Sequence, residues 1–193
     1  MYSLILDSAT KILYVALIKD NETLYESYIE GKNDHAKNIV AKVDEALKKS
    51  NITVNELNEV IVGIGPGSYT GVRMAVTVAK MLAVFKKNIK LYSISTLKLM
   101  ASGYDGIVLS MIDARRNNSF GMIIDTKLDK YLINEGLIET DKLKNNKYDF
   151  IVTESNYKVN PIYVLEHKEE VKEAHLLVPN YLRDTEAERN LHD

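Results

Sequence analysis

The sequence predicts an α/β protein made of a βββαβα unit used twice, the second time in reduced form, and three observations carry that prediction. Short runs rich in Tyr, Ile, Leu and Val recur at Tyr2–Asp7, Ile12–Lys19 and Thr23–Glu30, with turn residues between them. Stretches of helical spacing then alternate with apolar, strand-like runs. After Tyr104 the order begins again: Gly106–Asp113, Ser119–Asp125 and Lys130–Ile138, a short helical segment around Asp141–Leu143, and a strand at Asp149–Thr153. The two copies share a pattern and no residue-level repeat. The boundary between an N-terminal lobe, residues 1–103, and a smaller C-terminal lobe, residues 104–193, falls near Gly103.

Each element follows from local chemistry. Asp20-Asn21 supplies the turn between the second and third strands. From Asp34, placed as an N-cap, Ala36, Ile39, Val40, Val43, Ala46 and Leu47 recur at helical spacing as far as Ser50-Asn51, while Lys37, Lys42, Glu45, Lys48 and Lys49 form the opposite face. A strand at Glu59–Ile64, a glycine-rich turn, a helix from about Val72 to Phe85, a strand at Ile89–Ile94 and a helix opening at Ser95 or Thr96 complete the first unit. In the second, the polar Lys142–Lys147 and the loosely patterned Tyr157–Leu165 read as shortened connections, and His167–Leu177 as a late helix.

Composition bounds the function. The chain has 193 residues, 46% of them hydrophobic and 27% charged, enough to bury a core without staples. With 25 Lys and Arg against 27 Asp and Glu, the net charge of −2 provides no overall positive field to draw the chain onto nucleic acid. The absence of cysteine excludes disulfides, zinc ribbons and thiol nucleophiles and fits a reducing, cytoplasmic compartment. No basic segment followed by an apolar one opens the chain, and no run approaches the ~18 apolar residues of a membrane span, so neither secretion nor membrane insertion is expected.

Four of the nine glycines lie within Gly63-Ile64-Gly65-Pro66-Gly67-Ser68-Tyr69-Thr70-Gly71. Two readings account for them: a tight strand-to-helix connector capped by Ser68 or Thr70, or an anion site where helix N–H groups converge. The run lacks the Lys-Ser or Lys-Thr of a Walker loop and the spacing of a dinucleotide fingerprint. The helix after it is apolar nearly all round, with Arg73, Thr77 and Lys80 as its narrow polar stripe. Gly71, Ala75, Ala79 and Ala83, four residues apart, make a smooth ridge on which another helix could pack; a subunit interface there is the expectation, the alternative being internal cover by the helix of Ile39, Val40, Val43 and Leu47 together with the other lobe.

Chemistry is otherwise sparse. Asp7-Ser8-Ala9-Thr10 closes the first strand with one acid and two hydroxyls. His35 has Ile39 four residues on, so no histidine pair faces a metal along that helix, and His167, His175 and His192 form no ligand-spaced cluster. Asp113-Ala114-Arg115-Arg116 could orient a turn or bind a partner carboxylate or phosphate, with a structural ion pair as the expected role. No G-x-S-x-G elbow surrounds Ser68.

Taken in order, Ile5-Leu6-Asp7-Ser8-Ala9-Thr10, His35, Gly65-Pro66-Gly67-Ser68-Tyr69-Thr70-Gly71-Val72-Arg73, Asp113-Ala114-Arg115 and Pro179-Asn180-Tyr181-Leu182-Arg183 resemble the bacterial TsaB (YeaZ) family over nearly the whole chain. The resemblance implies an actin-like ATPase (ribonuclease H-like) fold and kinship with TsaD, the catalytic subunit that transfers threonylcarbamoyl to the adenosine beside the anticodon of tRNAs reading codons that begin with A. It implies a non-catalytic scaffold that pairs with TsaD through its N-terminal helices and recruits the ATPase TsaE. It further implies a homodimer when alone and contact with tRNA only through the complex. The expected interface is His35, Ile39, Val40, Val43, Leu47, Gly71, Val72, Ala75, Val76, Ala79, Leu82 and Ala83. Asp7, Gly65, Pro66, Gly67, Ser68, Thr70 and Arg73 are expected as a structural turn or anion site. TsaD-like proteins carry a paired-histidine metal motif and a glycine-rich adenosine loop; His35 has no mate and the chain has no Gly-Gly, so the likeness implies no metal and no cofactor. The alternative is an actin-like small-molecule kinase or ATPase that uses Asp7 and the Gly65–Gly71 turn around phosphates.

Overall fold

Tyr2–Asp7 forms β1, near the centre of the first sheet in the computed structural model, which describes residues 1–31, 35–86 and 88–182, and of residues 35–37 only the backbone. Leu4 and Leu6 enter one core and Ile5 the other, all fully buried, so the strand is continuously apolar instead of alternating. β2 (Ile12–Lys19) and β3 (Glu22–Glu30) continue as an antiparallel meander. Its turn residues Asp20 and Asn21 have φ of 46° and 71°, the left-handed pair a two-residue hairpin needs. After α1 (His35–Lys49) come β4 (Glu59–Gly63), α2 (Tyr69–Phe85) and β5 (Lys90–Ile94), with β4 parallel to β1 and β5 parallel to β4. α2 begins at Tyr69, ahead of the expected Val72, because Ser68 caps it and accepts from the Gly71 N–H at 3.3 Å. α3 (Thr96–Ala101) leads to β6 (Ile107–Asp113), β7 (Asn118–Asp125), β8 (Lys130–Glu139), α4 (Thr140–Lys144) and β9 (Phe150–Val152).

Beyond Val152 the chain departs from expectation. Tyr157, Val159, Tyr163 and Val164 are buried core residues, not a loose connection. α5 (Pro161–Glu166) starts where the Asn160 side chain caps it and Pro161 fills its first turn. The helix expected over His167–Leu177 is replaced by β10 (Glu169–Glu170), antiparallel to β5, and a 3-10 turn at Ala174–Leu176. His167–Glu173 has a single apolar residue, Val171, too few to give a helix a buried face, and the open edge of β5 offers backbone partners instead. Val171 N–H, for example, donates to the Leu91 carbonyl at 2.9 Å. The boundary near Gly103 therefore separates two sheets but not the last segment of the chain, which returns to the first.

The sheets run β10-β5-β4-β1-β2-β3 and β8-β7-β6-β9. α1 and α2 cover one face of the first sheet. Its other face shares a core with α3, α5 and the inner face of the second sheet, running from Ile5, Tyr14 and Ile61 to Val108, Met122 and Val152. α4 lays Leu143 against Leu109 and Ile123 on the outer face. The returning segment is fastened by an ion pair between Lys168 and the buried Glu59, which also accepts from Ser3 Oγ at 2.7 Å, while the ammonium lies 4.4 Å from the Tyr92 ring centre.

Candidate functional site

Asp7, at the end of β1, is fully buried. Its Oδ1 accepts from Ala9 N–H at 2.8 Å and its Oδ2 from the Thr96 hydroxyl at 2.6 Å, and Thr96 Oγ1 accepts in turn from Gly65 N–H at 3.0 Å. Gly63 lies so close that any Cβ there would overlap the carboxylate. Burial pushes the carboxyl up to a pKa of about 6, against the lowering effect of the Thr96 and Ala9 bonds. Around it, Ser8 Oγ donates to the Gly71 carbonyl at 2.7 Å and Ser68 N–H donates to the Ala9 carbonyl at 2.6 Å. Gly71 rides directly on the Ser8 carbonyl, leaving no room for a side chain. Of the two readings of the glycine run, this geometry supplies the connector: the N–H groups of Gly65, Ser68 and Gly71 bond within the chain, Pro66 is buried and Thr70 is exposed.

Beside the turn an open cleft of about 400 Å³ is lined by Ala9, Lys11, Gly67, Ser68, Asp113 and Arg115, among others. Asp113 Oδ1 accepts from Arg115 N–H at 2.9 Å and so closes its own turn. The kinase or ATPase alternative needs Asp7 beside phosphates; here that carboxylate faces protein and both its oxygens are engaged. Among the described residues no three His, Asp or Glu side chains gather as a metal requires. His167 stacks on Tyr163, His175 pairs with Glu173 at the surface, and the side chain of His35 and all of His192 lie outside the described residues, as do Asp34 and Arg183.

The small-residue ridge of α2 is used inside the chain, which corrects the expectation that it awaits a second polypeptide. Gly71, Val72, Ala75, Val76 and Ala79 are buried in one core with β1, β4 and β5, together with Ile39 and Val43 of α1. Leu47, Leu82 and Ala83 are half-buried against the same core. The returning segment covers another flank, where Lys80 Nζ donates to the carbonyls of His175 and Leu177 at 3.0 Å each. Val40, 62% exposed, is the fully open member of the expected interface among the described side chains. What α2 leaves open lies two residues further round: Tyr69, Arg73, Thr77, Met81 and Phe85, four apart, with Val84 alongside. Met81, Val84 and Phe85 are 52%, 57% and 76% exposed. Of this ridge the sequence placed Arg73 and Thr77 on the polar stripe; it missed Met81, Val84 and Phe85, because most of the circumference is apolar and composition signals a bare surface without saying which apolar flank it is.

A family model described as TsaD, tRNA N6-adenosine threonylcarbamoyltransferase, matches residues 30–159. The tRNA threonylcarbamoyladenosine biosynthesis protein TsaB of Bacillus subtilis (strain 168) is 27% identical over 97% of this chain and 96% of its own length. The protein of the same name from Escherichia coli (strain K12) is 34% identical over 60% of this chain, and the match spans 51% of that relative. Among solved structures, YeaZ from Pseudomonas aeruginosa superposes with a TM-score of 0.79 at 19% identity, covering 94% of this chain and 99% of that one, a likeness of fold.

Proposed function

Because the chain belongs to the TsaB (YeaZ) family, we propose that it serves in tRNA threonylcarbamoyladenosine biosynthesis as a non-catalytic subunit that pairs with a TsaD-type transferase. The observation that carries this reading is the apolar end of α2, where Met81, Val84 and Phe85, with Val40 of α1, stand in solvent. Covering such side chains recovers roughly 1.5–3 kcal/mol each, and monomers seldom leave a group of them bare. The face is also preformed. Ser68 caps α2, Ser8 holds Gly71, and Lys80 ties the helix to the returning segment, so association has little backbone to order.

The non-catalytic part of the proposal draws on Asp7, which acts as a clamp between β1, the Gly65 turn and α3 and presents no carboxylate to the cleft. In this reading a TsaE-type ATPase joins the pair, tRNA is met through the assembled complex, and a lone chain covers the same face by two-fold self-pairing. The test is size-exclusion chromatography of the chain mixed at micromolar concentration with the TsaD-type subunit from the same cell. A shared early peak is expected; separate elution of the two overturns the assembly.

A further inference from the structure

The two ends of the exposed α2 ridge differ in chemistry. Its C-terminal end is apolar; at its N-terminal end, side chains more than a hundred residues apart in the sequence meet. The rings of Tyr69 and Tyr181 stack with centroids 5.3 Å apart at 27°, and Arg73 Nη1 donates to Tyr69 Oη at 2.5 Å with its Cζ 5.1 Å from that ring's centre. Tyr69 is 49% and Tyr181 45% exposed, so this stack is not part of the core. It is held in place from behind: Asn180 N–H donates to the Ile64 carbonyl at 2.7 Å, and Asn180 Nδ2 to Glu135 Oε1 at 2.8 Å.

Arg73 takes part in none of the ion pairs among the described residues. A guanidinium has five N–H donors in a planar fork, and the tyrosine hydroxyls leave most of them free. α2 itself contains no Asp or Glu. The described carboxylates of α1 are already engaged, Asp44 with Lys48 at 2.6 Å and Glu45 with Lys42 and Lys49 at 2.6 and 2.7 Å.

We infer that Tyr69, Arg73 and Tyr181 form the polar anchor of the partner face, and that its occupant is a helix of a different polypeptide with a carboxylate opposite Arg73. The inference rests on the assembly reading above and adds to it the chemistry that selects the partner. Self-pairing of α1 and α2 offers Arg73 no free carboxylate and desolvates it unpaired, whereas a partner acid meets its fork bidentately. Tyr and Arg are also the side chains that dominate binding when an interface closes over them. The 17 residues of α2 extend about 25 Å, so one facing helix spans both the anchor and the apolar end. The apolar half provides adhesion; Arg73 provides choice of partner.

Binding of the full-length chain to the TsaD-type subunit is measured by calorimetry, and self-association by sedimentation equilibrium, for wild type, Arg73→Glu, Arg73→Gln and Tyr181→Ala, each checked for an unchanged melting profile. Arg73→Glu is expected to weaken partner binding at least about tenfold, with Arg73→Gln and Tyr181→Ala weaker than wild type, and to leave self-association within about twofold. The wild-type affinity falls as salt rises, and that dependence flattens in Arg73→Gln. Wild-type binding matched by folded Arg73→Glu overturns this inference and leaves the assembly intact. Equal loss of self-association and partner binding overturns it by making a second copy the occupant. No binding by the wild type overturns the assembly and the inference together.

Discussion

Asp7 shows how one residue can be conspicuous in sequence and still have its role set elsewhere. Burial holds its carboxyl at a pKa of about 6, above the ordinary 3.8, so the folded state binds the proton more tightly than the unfolded chain does. Its contribution to stability is therefore complete below about pH 4 and is lost as pH rises through 6, a swing of about 3 kcal/mol at 1.36 kcal/mol per pH unit. Asp7→Asn keeps an acceptor for Ala9 N–H and cannot ionise. Urea denaturation from pH 4 to pH 7 is expected to show wild-type stability falling by about that amount relative to the variant; parallel curves would show that the buried carboxyl does not titrate there. The acid at a strand end was legible from Asp7-Ser8-Ala9-Thr10. Its enclosure by Gly63 and Thr96 was not, because they reach it only once three strands are assembled.

At the level of the element, α2 was legible as a helix with too much apolar surface, and the ridge expected to meet a partner is instead packed within the chain. Ala79 is fully buried while Met81, two residues on, is half in solvent. The two positions therefore separate folding from association. Ala79→Glu puts an unpaired carboxylate into the core and is expected to unfold the chain or cost several kcal/mol, read by thermal melting. Met81→Glu is expected to melt within a few degrees of wild type yet fail to co-elute with the TsaD-type subunit. Retained co-elution by folded Met81→Glu would remove the apolar end of α2 from the partner face. Small residues every four positions mark a close-packed flank whoever supplies the packing, and here β1, β4, β5 and α1 supply it.

Across the whole molecule, the segment after α5 binds the two halves into one body. Lys168 neutralises Glu59 beneath the first sheet, β10 lengthens that sheet, and Asn180 and Tyr181 close over the Gly65 turn and α2. Lys168→Ala strands Glu59 as a buried charge and is expected to cost about 3–5 kcal/mol, with faster amide exchange at Val171; adding Glu59→Gln should restore most of it. An unchanged denaturation midpoint in Lys168→Ala would mean that the strap is held by its backbone bonds alone. By itself the sequence determined the α/β class, the meanders, the helices and strands up to Val152 and the family, because periodicity, capping and turn residues act between near neighbours in the chain. Only the tertiary structure decided that His167–Leu177 becomes a strap, that Gly63 and Thr96 enclose Asp7 and that Tyr69, Met81 and Phe85 stay bare. Each of those outcomes depends on which distant surface arrives to cover a group, and a strand edge or helix flank carries no local record of its eventual partner.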